Sequence, residues 1–395
     1  MIQFAAGNLI FAINHYIHSL TMDRSADIAI VGAGIVGLAH AYMASRKGYK
    51  VVLFEREHFA IGASVRNFGL LWTIGQEPGT GLERALRGRK HWQEVAAAAG
   101  FWINNNGSLH VVYKEDELAI LDEFIHLYRD SAYQCRLLTS KEIKEKFPPV
   151  KKDNLLGGLF SETESTLNAR EAIRRIPVWL QEKYGLILKF GHVVTEIALP
   201  HVKTARENWR AEKVFVCSGA DFESLYPEVF DQHQVSRCKL QMLKAIPDKK
   251  FALGPTLCAG LTLRHYAAFN RCPSLKKVAA MYDEECAEYK DHGIHVLVAQ
   301  NNSGELIIGD SHHYSKTPEP FDREDVNELI LKYLETFVSI GPFKITERWN
   351  GVYPKVADNS SLIVSPEPGV TIVTGLGGAG MTLSFGLAEE LIDAL

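Results

Sequence analysis

Gly32, Gly34 and Gly37 in Gly32-Ala33-Gly34-Ile35-Val36-Gly37 stand at the spacing G-x-G-x-x-G. An apolar run, Asp27–Val31, precedes them, and a stretch rich in helix formers, Ile35–Lys47, follows. Between a strand and a helix each glycine has a job. Gly32 permits the tight turn, Gly34 lets the backbone approach a pyrophosphate, and Gly37 lets helix and strand pack closely. The start of the helix, with the backbone of Ala33, Ile35 and Val36, turns free N–H groups and a partial positive charge toward phosphate. Glu55 ends the next apolar run, Tyr49–Glu55. A carboxylate about twenty residues past the glycines can accept both ribose hydroxyl protons. The spacing therefore predicts a dinucleotide site on one βαβ unit.

The loop after Glu55 narrows the dinucleotide. A plain nicotinamide site would lead into another helix, but here Arg56 is followed by a small-residue loop, Gly62-Ala63-Ser64, and then Arg66-Asn67-Phe68-Gly69. Small residues with exposed amides can line a pyrophosphate and continue toward a ring system. The pattern E-x6-G-A-S-x-x-N-x-G resembles the fingerprint of the D-amino-acid oxidase, glycine oxidase and sarcosine oxidase superfamily. That resemblance implies FAD, with this loop passing beside the isoalloxazine. It also draws in two later segments. Lys213–Ala220 resembles the family's apolar strand whose small end, here Cys217, Ser218 and Gly219, packs on the FAD, and Val194 matches the position whose backbone meets the adenine. Thr374–Ser384 resembles the C-terminal turn, where Gly377, Gly378, Ala379, Gly380, Met381 and Thr382 bring a helix N-terminus to the flavin. Non-covalent attachment is implied, since no histidine stands at 64–69 and no cysteine follows Cys286.

The same resemblance bears on the substrate. Members remove a hydride from a carbon bearing nitrogen, and usually hold a substrate carboxylate with the arginine of W-x-G-x-R-P. Here Trp349-Asn350-Gly351-Val352-Tyr353-Pro354 places Tyr353 at that position. One hydroxyl replaces a bidentate fork, so the usual carboxylate clamp is absent; Arg264, Arg66 and Arg348 are the other arginines available. Leu261–Phe269, with Arg264 and His265, and Gly309–Tyr314, with His312, together with Lys239 and Lys244, offer cationic or proton-donating groups suited to a tetrahedral dianion. His312 and His313 lack the partner spacing of a metal site, so no metal is expected. ASVRNFG, CKLQML, TLRHYAAF, GIHVLVAQN and TGLGGAGMTLSFGLAEE resemble a subgroup linked to phosphonate catabolism. This implies oxidation of an aminophosphonate such as 2-aminoethylphosphonate, through an imine, to an aldehyde. The alternative is a glycine, sarcosine or D-amino-acid oxidase or dehydrogenase.

The elements that must position these residues read as an α/β protein, α+β overall. A Rossmann-like FAD-binding domain is expected over 23–108, 155–235 and 346–395. An inserted antiparallel-sheet substrate domain is expected over 109–154 and 236–345, where segments such as IHVLVAQN and ELIIGDS alternate between polar turns. Helices are expected over 85–100, 115–130, 169–184 and 321–339. Residues 1–22 contain no Lys or Arg before Asp23 and are interrupted by Asn8, Asn14, His15 and His18. They fit neither a signal peptide nor a membrane span and read as an appendage.

A formal net charge of -4 over 395 residues argues against nucleic acid as a partner. The six cysteines have no C-x-x-C spacing and read as reduced thiols of a cytoplasmic protein. The expected partner is a small amine with an anionic end.

Overall fold

The computed structural model describes residues 24–356 and 361–395, so the expected appendage at 1–22 lies outside the described residues. Five parallel strands form the first sheet's centre, in the order Ile187–Phe190, Val51–Glu55, Ser25–Val31, Asn208–Val216 and Val370–Thr374. Their apolar residues split by face, as a period of two requires. Ile28, Ile30 and Leu53 enter one core, while Ala29, Val52 and Phe54 enter the core on the opposite face. Burial on both faces explains why these strands read as continuous apolar runs. Antiparallel strands Val194–Ala198, His201–Thr204 and Leu362–Val364 extend the sheet.

Helices Ile35–Arg46, Thr80–Ala99, Ala169–Tyr184 and Gly380–Asp393 share the first of those cores. The long helix Thr80–Ala99 and the C-terminal helix touch backbone to backbone. A Cβ on Gly88 would lie 2.5 Å from the Thr382 carbonyl oxygen, and one on Gly386 would lie 2.3 Å from that of Arg84. Two glycines thus set the spacing of this helix pair, with Trp92 packed edge-on against Phe385 at 5.0 Å.

The second sheet has nine strands and is almost wholly antiparallel. Its spine is Ser236–Pro247, which pairs along its length with Phe343–Lys355 and, on its other edge, with Leu306–Gly309 and His313–Ser315. Beyond these lie Leu297–Gln300, Thr256–Cys258, Ser108–Val112, Gly157–Ser161 and Cys135–Thr139. The expected α/β class and its mixed sheets are therefore present. The sheet division departs from the expected segment limits in two places. Gly157–Ser161 hydrogen-bonds into the second sheet rather than the first, and the second sheet keeps the chain as far as Lys355. The reason is pairing: thirteen residues from Phe343 follow one partner strand without a break large enough to leave it. Helices Leu275–Glu285 and Ala287–Asp291 were not expected from sequence.

Gly386→Ala should drive its methyl into the Arg84 carbonyl and cost about 1–3 kcal/mol, as overpacking does. The check is a lowered denaturant midpoint with an unchanged m-value.

Candidate active site

A cavity of about 510 Å³ opens at the carboxyl ends of the parallel strands, between the two sheets. This is where open α/β sheets take ligands. One wall is glycine-rich backbone. Gly32 has φ +102°, and a Cβ there would sit 2.3 Å from the Cys217 carbonyl oxygen. The first helix begins at once, and its Ile35 N–H donates to Ser64 Oγ at 2.9 Å. The Ala33 N–H donates to Glu55 Oε2 at 2.9 Å, so the carboxylate at the end of the second strand is clipped to the glycine turn. The 62–69 loop is tied from within. Asn67 Nδ2 donates to the carbonyls of Ala63 and Ser64 at 2.9 and 3.0 Å, and its Oδ1 accepts from the Gly69 N–H at 2.7 Å.

Most of the expected cofactor residues line this cavity: Gly32, Gly34, Ile35, Val36, Glu55, Arg56, Ala63, Ser64, Arg66, Asn67, Phe68, Val194, Cys217, Ser218, Gly219, Gly377, Gly378, Ala379, Gly380 and Met381. Ala33, Gly37, Gly69 and Thr382 stand behind it. Gly37 packs on the Gly32 carbonyl, Gly69 on that of Leu167, and Thr382 Oγ1 accepts from the Trp72 N–H at 2.8 Å. Arg56 is paired with Asp221, and Asn67 spends its amide on shaping its own loop.

The opposite wall comes from the second sheet. His265, His312 and Tyr353 line it, joined by His295 and Asp310, which sequence reasoning had not singled out. Tyr353 arrives through strand register, opposite Cys238. His265 and His295 stack with centroids 3.6 Å apart, and His312 lies 4.7 and 5.1 Å from them. Burial holds the His265 and His295 imidazoles well below the usual histidine range and His312 down to about 4. His265 keeps much exposed surface, yet it lies deep in the protein, so that surface faces the cavity. Burial pushes the Asp310 carboxyl and the Tyr353 hydroxyl well above their ordinary values. Lys355, also not singled out, brings its Nζ within 3.9 Å of the point a Gly377 Cβ would occupy. It has no carboxylate partner among the described residues.

Four expected cations are not brought to the cavity. Arg264 turns to Asp283 at 3.0 Å, and Arg348 pairs with Glu324 at 2.8 Å on the surface. Lys239 is buried against Asp322 at 2.9 Å, and Lys244 is held by Glu305 and Glu347. Each has a nearby carboxylate that a one-dimensional reading cannot see. Of the arginines and lysines expected to meet the substrate only Arg66, which donates to the Asn350 carbonyl at 3.3 Å, lines the cavity; Lys355, outside the expected set, lies beside it.

A family model described as DAO, FAD dependent oxidoreductase, matches residues 27–394. The chain belongs to this family. Monomeric sarcosine oxidase from Arthrobacter sp. (strain TE1826) is 25% identical over 207 residues, covering 51% of this chain and 53% of that one. The chain thus spans about half the length of this curated relative. Glycine oxidase from Geobacillus kaustophilus superposes with a TM-score of 0.75 at 20% identity, covering 94% of each chain. L-α-glycerophosphate oxidase from Mycoplasma pneumoniae, with FAD bound, gives 0.70 at 17%, covering 94% of this chain and 95% of that one.

FAD is the cofactor of this family, and the donor set here fits it. Backbone approach is unobstructed at Gly34, where a Cβ would already come within 3.1 Å of Ser64 Oγ. Glu55 faces the cavity, and the C-terminal helix begins at its wall. No helix among the described residues is long and apolar enough to cross a membrane. Gly34→Val should fill the cradle while leaving the strands intact, lowering FAD affinity by about tenfold or more, roughly 1.4 kcal/mol. The check is flavin absorbance per mole of purified protein beside an unchanged far-ultraviolet dichroism spectrum.

Proposed function

We propose that this DAO-family enzyme is an FAD-dependent amine oxidoreductase that oxidises the C–N bond of a small aminophosphonate, such as 2-aminoethylphosphonate, to an imine that hydrolyses to the aldehyde. The observation that carries this reading is the far wall. Tyr353 stands where a carboxylate-binding arginine is expected, and the groups around it are imidazoles and Lys355. A planar carboxylate is best met by one guanidinium fork. A tetrahedral dianion takes several dispersed donors, and Lys355 and Tyr353 supply them without a fork.

Bound FAD supplies the two-electron acceptor. Glu55 would hold the adenosine ribose, Val194 the adenine, and the Gly32–Gly37 turn with Ser64 the pyrophosphate. The 62–69 loop and the Gly377–Met381 turn would flank the flavin ring. The chain's own work is positioning. Lys355 and Tyr353 fix the anionic end, the apolar walls from Leu240 and Met242 exclude water, and the α C–H is aimed at the acceptor. Orientation of this kind supplies much of a barrier reduction without a strong base. A cytoplasmic enzyme acting on such a metabolite is consistent with the scattered thiols.

A second reading, oxidation of glycine, sarcosine or another amino acid, is favoured by one observation: Arg66 is an arginine among the residues that line the cavity. The two separate cleanly. Anaerobic mixing with 2-aminoethylphosphonate should bleach the flavin band at submillimolar substrate, with sarcosine and glycine far slower; bleaching by the amino acids alone would discard the phosphonate reading. Lys355→Ala should raise the half-saturating 2-aminoethylphosphonate concentration by roughly tenfold or more, the size of a lost charge-assisted hydrogen bond. Tyr353→Arg should shift preference toward carboxylates, read as the ratio of kcat/KM values for sarcosine and 2-aminoethylphosphonate.

A further inference from the structure

The histidine corner holds a feature that the anion-binding reading leaves unused. Asp310 is only 4% exposed, lines the cavity, and has no good hydrogen bond to its Oδ1. His295 Nε2 approaches that oxygen at 3.3 Å, and His312 Nε2 faces the other, Oδ2, at 3.8 Å. The His312 tautomer follows from its second nitrogen. Nδ1 lies 3.0 Å from the Gly293 carbonyl, a contact only an N–H can make. In a neutral ring Nε2 is then a bare lone pair, and it faces the Asp310 carboxyl oxygen at 3.8 Å, beyond hydrogen-bond length. Burial raises the Asp310 carboxyl in a dry cavity, and a guest that donates to both atoms favours the carboxylate form again, so the pair repels a phosphonate or carboxylate and calls for a donor. The backbone makes the placement firm, since the Asp310 N–H donates to the His295 carbonyl at 2.9 Å and the His312 N–H to that of His292 at 2.8 Å.

A transition metal is the other donor-seeking guest. Nitrogens of His265, His295 and His312 lie within 4.8 Å of one another. The ring geometry opposes it. A metal sits along the lone pair, in the plane of each imidazole, at about 2.0–2.1 Å from the nitrogen. His265 and His295 are stacked face to face at 3.6 Å with only 27° between their planes. Planes so close to parallel meet several ångströms beyond the rings, out of bonding reach of both nitrogens.

We propose that Asp310 Oδ2 and His312 Nε2 form the pocket for the substrate's amine, with His295 positioning the carboxylate. The amine donates one N–H to each, which fills the gap between them and sets the α-carbon's orientation. Recognition then has two poles, the amine at Asp310 and His312 and the anionic end at Tyr353 and Lys355. This rests on the amine-oxidoreductase reading and adds to it the residues that select for nitrogen.

The test measures binding rather than turnover. Photoreduced holoenzyme, kept anaerobic, cannot oxidise an amine, so calorimetry can compare 2-aminoethylphosphonate with ethylphosphonate, and glycine with acetate. The intact enzyme should bind the aminated member of a pair roughly tenfold or more tightly, as a charge-assisted contact implies. Asp310→Asn and, independently, His312→Asn, whose amide can still reach the Gly293 carbonyl, should bring that ratio close to one while binding of ethylphosphonate or acetate is kept. Two variants keep the test decisive if one fails to fold. A ratio near one in the intact enzyme, or an unchanged ratio in both variants, would overturn the proposal. So would a stoichiometric transition metal in purified holoenzyme that is lost in Asp310→Asn. Discrimination within the glycine pair alone would reject the phosphonate substrate yet support the amine pocket, so the two ideas fail separately.

Discussion

The contact on which the rest of the site depends is the approach of Gly32 to the carbonyl of Cys217. Two neighbouring parallel strands end side by side there, and the space a Cβ needs is already filled by backbone. Only a glycine at positive φ lets the chain leave the first strand and enter a helix within three residues. Everything on that wall follows in sequence. The helix start presents its N–H groups, Ser64 reaches back to one of them, Glu55 clips the turn at Ala33, and Asn67 folds the following loop onto itself. Asn67 therefore acts through loop shape, spending both ends of its amide inside the loop it belongs to.

The facing wall is built by a different principle. It owes its residues to the register of a long antiparallel pair and to the strand ends around Asp310. Its chemistry comes from side chains kept dry rather than from backbone donors. Burial there acts on both signs of charge, holding imidazoles neutral and raising the carboxyl and phenol. A cavity between one wall of backbone N–H groups and another of buried, directional side chains favours a cofactor with phosphates on the first side. On the second it favours a small polar substrate sorted by hydrogen-bond direction more than by net charge.

The arginines and lysines show why charge is poorly read from sequence. Arg264 and Arg348 looked like candidates to hold an anion, and each turns to a carboxylate contributed by a distant segment. Lys239 and Lys244 are spent in the same way. Lys355, two residues past the tyrosine that drew notice, lies beside the cavity instead. His295 and Asp310 sit within segments whose texture was read as strand, GIHVLVAQN and ELIIGDS. Nothing in one dimension says that the two backbones pair and bring an imidazole and a carboxylate together.

By itself the sequence determined the parts governed by local rules. The glycine spacing, the carboxylate after the second strand and the small-residue loop specify a dinucleotide turn and point to FAD, because backbone conformation and close approach are written in residue type. The helix over 169–184 and the buried parallel strands are likewise legible, since burial on both faces leaves continuous apolar runs. Tertiary structure decided which charged groups remain free to meet a substrate, where the second sheet ends and which imidazoles converge. Ion pairing and strand register are set by residues tens to hundreds of positions apart, and their energies depend on burial that exists only once both sheets have closed over the cavity.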